Sequence, residues 1–126
     1  MSLSNTFETT TLKWLLTTDS VTRPTAWYLG LFTSDPGETG SGAELSGNAY
    51  VRKAATFSVT DDTATNTGAV EWPVATGTWG TVTHVAIHDA ETAGNIIAYA
   101  ALTNSKTIAS GDVFRIPASD LTVTLD

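Results

Sequence analysis

Thr25-Ala-Trp-Tyr-Leu-Gly-Leu-Phe-Thr-Ser-Asp-Pro-Gly-Glu-Thr-Gly-Ser-Gly-Ala-Glu-Leu-Ser-Gly-Asn-Ala-Tyr-Val-Arg52 is an apolar strand that empties into a long acidic loop and then returns to structure. From Trp27 to Phe32 both faces of a pleated strand are apolar or aromatic apart from Gly30, the pattern of a strand buried on both sides. Asp35-Pro36-Gly37 stops it, because proline offers no ladder donor and glycine accepts the positive φ of a turn. The loop runs on through Gly40, Gly42, Gly47 and Asn48 and carries two carboxylates, Glu38 and Glu44. A loop this long in a small domain is usually either functional or disordered.

Outward from this stretch the chain reads as short strands separated by turns. Lys53 to Val59, residues 68 to 75, Thr81 to His88, Ile96 to Leu102, Lys106 to Ala109, Val113 to Pro117 and Leu121 to Leu125 each alternate or carry β-branched residues. Pro73 marks an edge or a bulge, and Gly94-Asn95 a hairpin-like connection. Between Thr81 and His88, Val82, His84, Ala86 and His88 are expected on one face and Thr83, Val85 and Ile87 on the other. Toward the N-terminus, residues 4 to 18 form the one helix candidate, with Asn5 as cap, Glu8 reaching back, and Phe7, Leu12, Leu15 and Leu16 sharing a face. Some seven or eight short strands indicate an all-β fold, an antiparallel, jelly-roll-like sandwich with a short N-terminal helix. Residues 1–22 are expected to be a helix or arm packing on the sandwich or on a neighbour, and residues 23–126 the sandwich domain.

Composition narrows the partners. The chain has 126 residues, 41% of them hydrophobic, enough for one core. Its formal net charge is −7, from 13 acidic and 6 basic residues with no basic cluster, which disfavours nucleic acid. Absence of cysteine removes disulfides and thiolate metal sites and fits assembly in a reducing cytoplasm. No apolar run approaches the ~18 residues of a membrane span, and the first residues lack the pattern of a secretory signal.

Leu29 to Arg52 resembles the signature of a family of small bacteriophage virion proteins labelled tail-fibre or head-decoration proteins. Trp79-Gly-Thr-Val-Thr-His-Val-Ala-Ile-His-Asp89 and Ser110 to Leu125 extend the match over almost the whole chain. The resemblance implies a non-enzymatic structural part of a phage particle, located in the virion and assembled in the host bacterial cytoplasm. It leaves head or tail open. By general analogy with fibre and decoration proteins it suggests a homo-oligomer, such as a trimer, that also binds other virion proteins.

Candidate chemistry is sparse. His84 and His88, four apart on a strand, are about 13 Å from each other, too far to share a metal. Asp35, Glu38 and Glu44, or Asp61 and Asp62, supply oxygens for Ca²⁺ but fit no EF-hand spacing, and no nucleophile elbow occurs. No cofactor, metal or catalytic residue is expected. Trp72 and Trp79, with Tyr50, would serve as a glycan-stacking platform in an alternative carbohydrate-binding module, free or at a fibre tip, if exposed. The expected contact surface is the loop: Asp35, Pro36, Glu38 and Glu44, with Leu45, Tyr50 and Arg52 as apolar, aromatic and cationic anchors for a neighbouring subunit.

Overall fold

A computed structural model of the chain describes residues 1 to 125; Asp126, the last residue of the expected sandwich segment, lies outside them. The elements run β1 (Ser2–Leu3), α1 (Asn5–Leu16), β2 (Tyr28–Phe32), β3 (Lys53–Ala54), β4 (Phe57–Thr60), β5 (Thr63–Asn66), β6 (Val70–Glu71), β7 (Gly80–His88), β8 (Ile96–Ile108), β9 (Arg115–Ile116) and β10 (Thr122–Thr124). All strand pairs are antiparallel. They form a five-stranded sheet in the order β1-β8-β7-β2-β3, a three-stranded sheet β10-β5-β4 and a two-stranded ribbon β6-β9. The fold is all-β and sandwich-like with one short helix, as the alternation predicts.

The large sheet is buried on both faces at its middle. On one face the register lines up Leu29, Ile87 and Ala98 in one row and Leu31, Val85 and Ala100 in the next. Leu29, Leu31, Val85, Ile87 and Ala98 join Val70, Trp72, Phe114, Ile116 and Leu121 from the smaller sheets and their connections in a single core. On the other face Gly30, Phe32, Ala86 and His88 are also buried, beneath the loop that follows β2.

Two details of the strands differ from the alternation rule. Opposite Thr83, which lies between the pairs Val82↔Lys106 and His84↔Ala101, β8 carries four residues, Leu102 to Ser105. This bulge resets the side-chain phase, so Val82 shares the core with Val85 and Ile87 and not a face with His84 and His88. Three of these four, Thr103 to Ser105, are where the sequence predicts a gap between two strands; one bulged strand bridges it. Lys53 to Val59 is likewise not one strand. It divides at Ala55-Thr56, β3 completing the large sheet and β4 starting the small one.

Residues 68 to 75 form a regular strand only at Val70–Glu71. Beyond it the Trp72 and Ala75 amides donate to the Phe114 and Asp112 carbonyls, while Pro73, with no amide hydrogen, steps out between them. The cap of helix α1 lies one residue before the expected Asn5, which is itself the first helical residue. Ser4 occupies the N-cap, its hydroxyl accepting from the Phe7 amide at 3.4 Å and donating to the Ile96 carbonyl at 2.5 Å, which ties the helix to β8. None of its residues is buried.

β5, Thr-Ala-Thr-Asn, is a strand the sequence reading missed, and its last residue is the polar clamp of the core. Asn66 is 1% exposed. Its amide nitrogen donates to the Gly68 and Pro117 carbonyls, both at 2.9 Å, and its carbonyl oxygen accepts from the Leu121 amide at 2.9 Å. Replacement by alanine leaves those backbone groups unpaired inside the protein. Asn66→Ala is expected to destabilise the fold by roughly 3 kcal/mol or more, read as a fall in the urea midpoint with an unchanged slope.

Candidate functional site

The loop between β2 and β3 is a fixed body. It returns alongside β2 through Thr33 N–H to the Ala43 carbonyl and Leu45 N–H to the Leu31 carbonyl, at 2.9 and 3.0 Å, with Phe32 opposite Glu44. It rejoins the sheet at β3, which pairs with Tyr28 and Leu29. Between these two points residues 46 to 52 leave the ladder, and a side chain fills the gap. The Tyr50 hydroxyl accepts from the Leu31 amide at 2.9 Å and donates to Glu44 Oε2 at 2.7 Å.

Arg52 closes the arrangement. Its Nε and Nη2 form a bidentate pair with Glu44 Oε2 and Oε1 at 2.9 and 2.8 Å. Its Nη1 donates to the Ala90 and Ala93 carbonyls at 3.0 and 2.7 Å, so the loop is fastened to the β7–β8 connection. Asn48 fastens it elsewhere. Its carbonyl accepts from Trp79 Nε1 at 2.8 Å and from the Thr76 amide at 3.2 Å, and its side chain donates to the Thr78 carbonyl at 3.1 Å. Gly47, Asn48 and Ala49 all have positive φ, of 75°, 52° and 71°. For Ala49 that conformation is strained, and it persists because its neighbours are held on both sides.

Gly30 makes room for this cluster. A Cβ there would lie 2.6 Å from His88 Nε2 and 2.9 Å from Glu44 Oε2. His88 is 3% exposed, is stacked on Phe32 with ring centroids 5.9 Å apart, and its Nε2 has no hydrogen-bond partner. Burial, reinforced by the Arg52 charge, pushes its pKa down to about 4 against the smaller opposing pull of Glu44 and Asp89. Burial alone would raise the Glu44 carboxyl, but the hydrogen bonds from Arg52 and Tyr50 and the Arg52 charge outweigh it and hold the carboxyl below its ordinary range. Burial, and then the neighbouring Glu44, raise the Tyr50 phenol. At neutral pH the cluster is therefore a carboxylate, a guanidinium, a neutral phenol and a neutral imidazole. Its charges saturate each other and the backbone, which suits a brace.

Of the expected contact residues, Glu44, Tyr50 and Arg52 meet in this cluster. Leu45 is buried in the core and Pro36 is buried within the loop, whereas Asp35 and Glu38 are exposed. Of the three residues expected as anchors, Leu45 lies in the core, Tyr50 packs edge-on to Trp79 at 5.6 Å, and Arg52 ties the loop to the β7–β8 connection. Trp72 and Trp79, at 2% and 6% exposure, lack the open ring face that stacking on a sugar needs. Trp72 is packed edge-on against Phe114 at 5.3 Å. A cavity of about 260 Å³ lies between the loop and the sheet, lined by Glu38, Glu44, Arg52, His88 and Asn95 among others. Among the described residues no group of three or more His, Asp or Glu side chains is placed to hold a metal ion.

A family model described as podophage GP4 fiber I protein gp80 matches residues 2–124. The chain belongs to this family. No curated protein matches it in sequence. The resemblance carried by Leu29 to Arg52 is thus part of a match over nearly the whole chain, to a family of phage fibre structural proteins, and such a family implies a place in the virion. The braced loop is the centre of the stretch that carried the resemblance. Asn66, Gly30 and His88 were outside the expected site; Gly30 alone had a signal, as the one small residue in an otherwise apolar strand.

Two outcomes follow from the brace. Gly30→Ala should cost about 1–3 kcal/mol, because His88 and Glu44 must both retreat, and should loosen the loop to limited proteolysis. The unfolded chain protonates a histidine near pH 6.5 and folded His88 only near 4, so stability should fall by about 2–3 kcal/mol as pH drops through that window. A melting series should show this fall flattened in His88→Phe. The loss linked to Glu44, whose folded pKa is depressed from 4.5, should remain at lower pH.

Proposed function

We propose that this chain is a non-enzymatic subunit of a phage tail fibre that works by association with copies of itself and with other virion proteins. The observation that carries this reading is the family match over residues 2–124. The brace supports it, since Glu44, Tyr50 and Arg52 are tied to one another in a way that suits shape and not turnover. The loop from Thr33 to Arg52 is the contact platform, and the surface it presents is its outer arm, with Asp35 and Glu38, together with exposed Val51. Residues 1–22 act as an arm on the sandwich formed by the rest of the chain. Fixing such a platform before contact removes the ordering cost that a mobile loop would bring to assembly. Assembly takes place in the host cytoplasm, before the particle is released.

The experiment is to locate the chain in density from intact virions and to repeat it with Asp35→Lys combined with Glu38→Lys. Both positions are exposed and the one side-chain bond lost is that from the Gly37 amide to the Asp35 carboxylate, at 2.8 Å, so the purified variant should melt within about 1.5 kcal/mol of the parent. Its incorporation into particles should nonetheless fall at least severalfold. Density without the chain would overturn the fibre reading; full incorporation of the variant would overturn the platform.

A further inference from the structure

Helix α1 is under-supported as a single copy. Isolated helices of 12 residues are marginal in water, and tertiary packing of an apolar face normally holds them. Here Leu12, Trp14, Leu15 and Leu16 are 58%, 68%, 61% and 77% exposed. The two sides of the helix differ: Phe7 and Trp14 border a groove with Val21 and Pro24, whereas Leu12, Leu15 and Leu16, spaced three and four apart, form a separate apolar ridge.

The same chain carries an unfilled apolar groove of about 330 Å³ where the large and small sheets meet, lined by Trp27, Phe57, Val59, Ile97 and Val123 with Arg23 its one charged residue. Val59 there is 72% exposed. We propose that the Leu12-Leu15-Leu16 ridge of one copy docks in this groove of a second copy. This rests on the fibre-subunit reading and names the surface through which copies associate.

Three features favour a second copy as the occupant. Ridge and groove are present in equal numbers in every subunit, so exchange between copies covers both without another component. Charge allows it: the chain is at −7, but α1 carries only Glu8 and Lys13, one of each sign. The leucines also lie in its C-terminal half, where the negative end of the helix dipole would meet Arg23. The area suits a repeated contact: the three ridge leucines offer on the order of 300 Å² of apolar surface and a matching groove roughly doubles it, below the ~1,000 Å² of a stand-alone interface but made twice by every copy in a closed ring. A contact between two different patches propagates from copy to copy and closes into a ring or continues as a filament.

The chain contains no cysteine, so a single-cysteine test is clean. Full-length Leu16→Cys and Val59→Cys variants are mixed and mildly oxidised, and the disulfide products are identified by mass spectrometry. The expected product joins a Leu16→Cys chain to a Val59→Cys chain in excess of either homodimer. In parallel, sedimentation of the parent should show an oligomer in the micromolar range. Leu15→Glu with Leu16→Glu, at exposed positions and with an unchanged melt, should weaken association at least tenfold.

A strictly monomeric parent, dominant Leu16→Cys homodimers, or an oligomer indifferent to the paired glutamates would overturn the docking. Those failures leave the fibre reading standing if the chain is present in virion density. Its absence from virions would sink the fibre reading even where the cross-link forms.

Discussion

The Arg52 guanidinium, held between the Glu44 carboxylate and the carbonyls of Ala90 and Ala93, is the constraint on which the placement of the β2–β3 loop depends. Hydrogen bonds to charged groups contribute about 1.5–3 kcal/mol each, whereas ordering one backbone residue costs about 1–2 kcal/mol. Four such bonds cannot order a loop that runs from Thr33 to Arg52. Burial of Pro36 and Leu45 and the packing of Tyr50 on Trp79 supply the bulk of the driving force. What Arg52 contributes is position: a planar fork reads carboxylate and carbonyl directions at once, which the point charge of a lysine does not.

The brace explains why β2 has the sequence it has. Leu29 and Leu31 face the core, so the opposite face is free for another purpose, and Gly30 leaves the space that Glu44 and His88 occupy. The Tyr50 hydroxyl stands where a strand partner is missing, so a polar side chain preserves the ladder while the backbone bulges away. The result is a strand buried on both sides whose second layer is a loop. A loop of this kind presents its outer residues in one fixed arrangement.

Much of this was readable before the structure. The apolar run ending at Asp35-Pro36-Gly37 gave the buried strand, because period and turn chemistry are local properties of the backbone. The hairpin after His88 followed from the same rules. What could not be read were effects that depend on a partner strand. The bulge opposite Thr83 inverts the phase of Val82 only through the extra residues in β8. Asn66 matters because Pro117 and Leu121, distant in sequence, bring backbone groups to it. Within the site, Glu44, Tyr50 and Arg52 stood out by residue type, but type alone cannot tell an anchor aimed at a neighbour from one turned inward. Here all three are half-buried and hydrogen-bond one another, an arrangement set by the path of the loop and not by residue type.

Burial is unevenly distributed, and this bears on assembly. The sheets and the loop bury most of their large apolar residues, leaving single valines such as Val51 and Val59 exposed, while α1 leaves four large side chains in water within five residues. In an acidic chain this separation is coherent. Exposed like charges repel over roughly the 8 Å Debye length at physiological salt, so copies approach most readily where the surface is apolar and locally neutral. The helix is such a region. Asp35 and Glu38, on the loop, bring like charges together if two copies meet there, so that surface suits a partner of different composition. The Asn5 amide at the start of the helix donates to the Glu38 carbonyl at 3.2 Å, so the acidic arm of the loop and the apolar helix are neighbouring surfaces of opposite character, fixed to one another by the backbone.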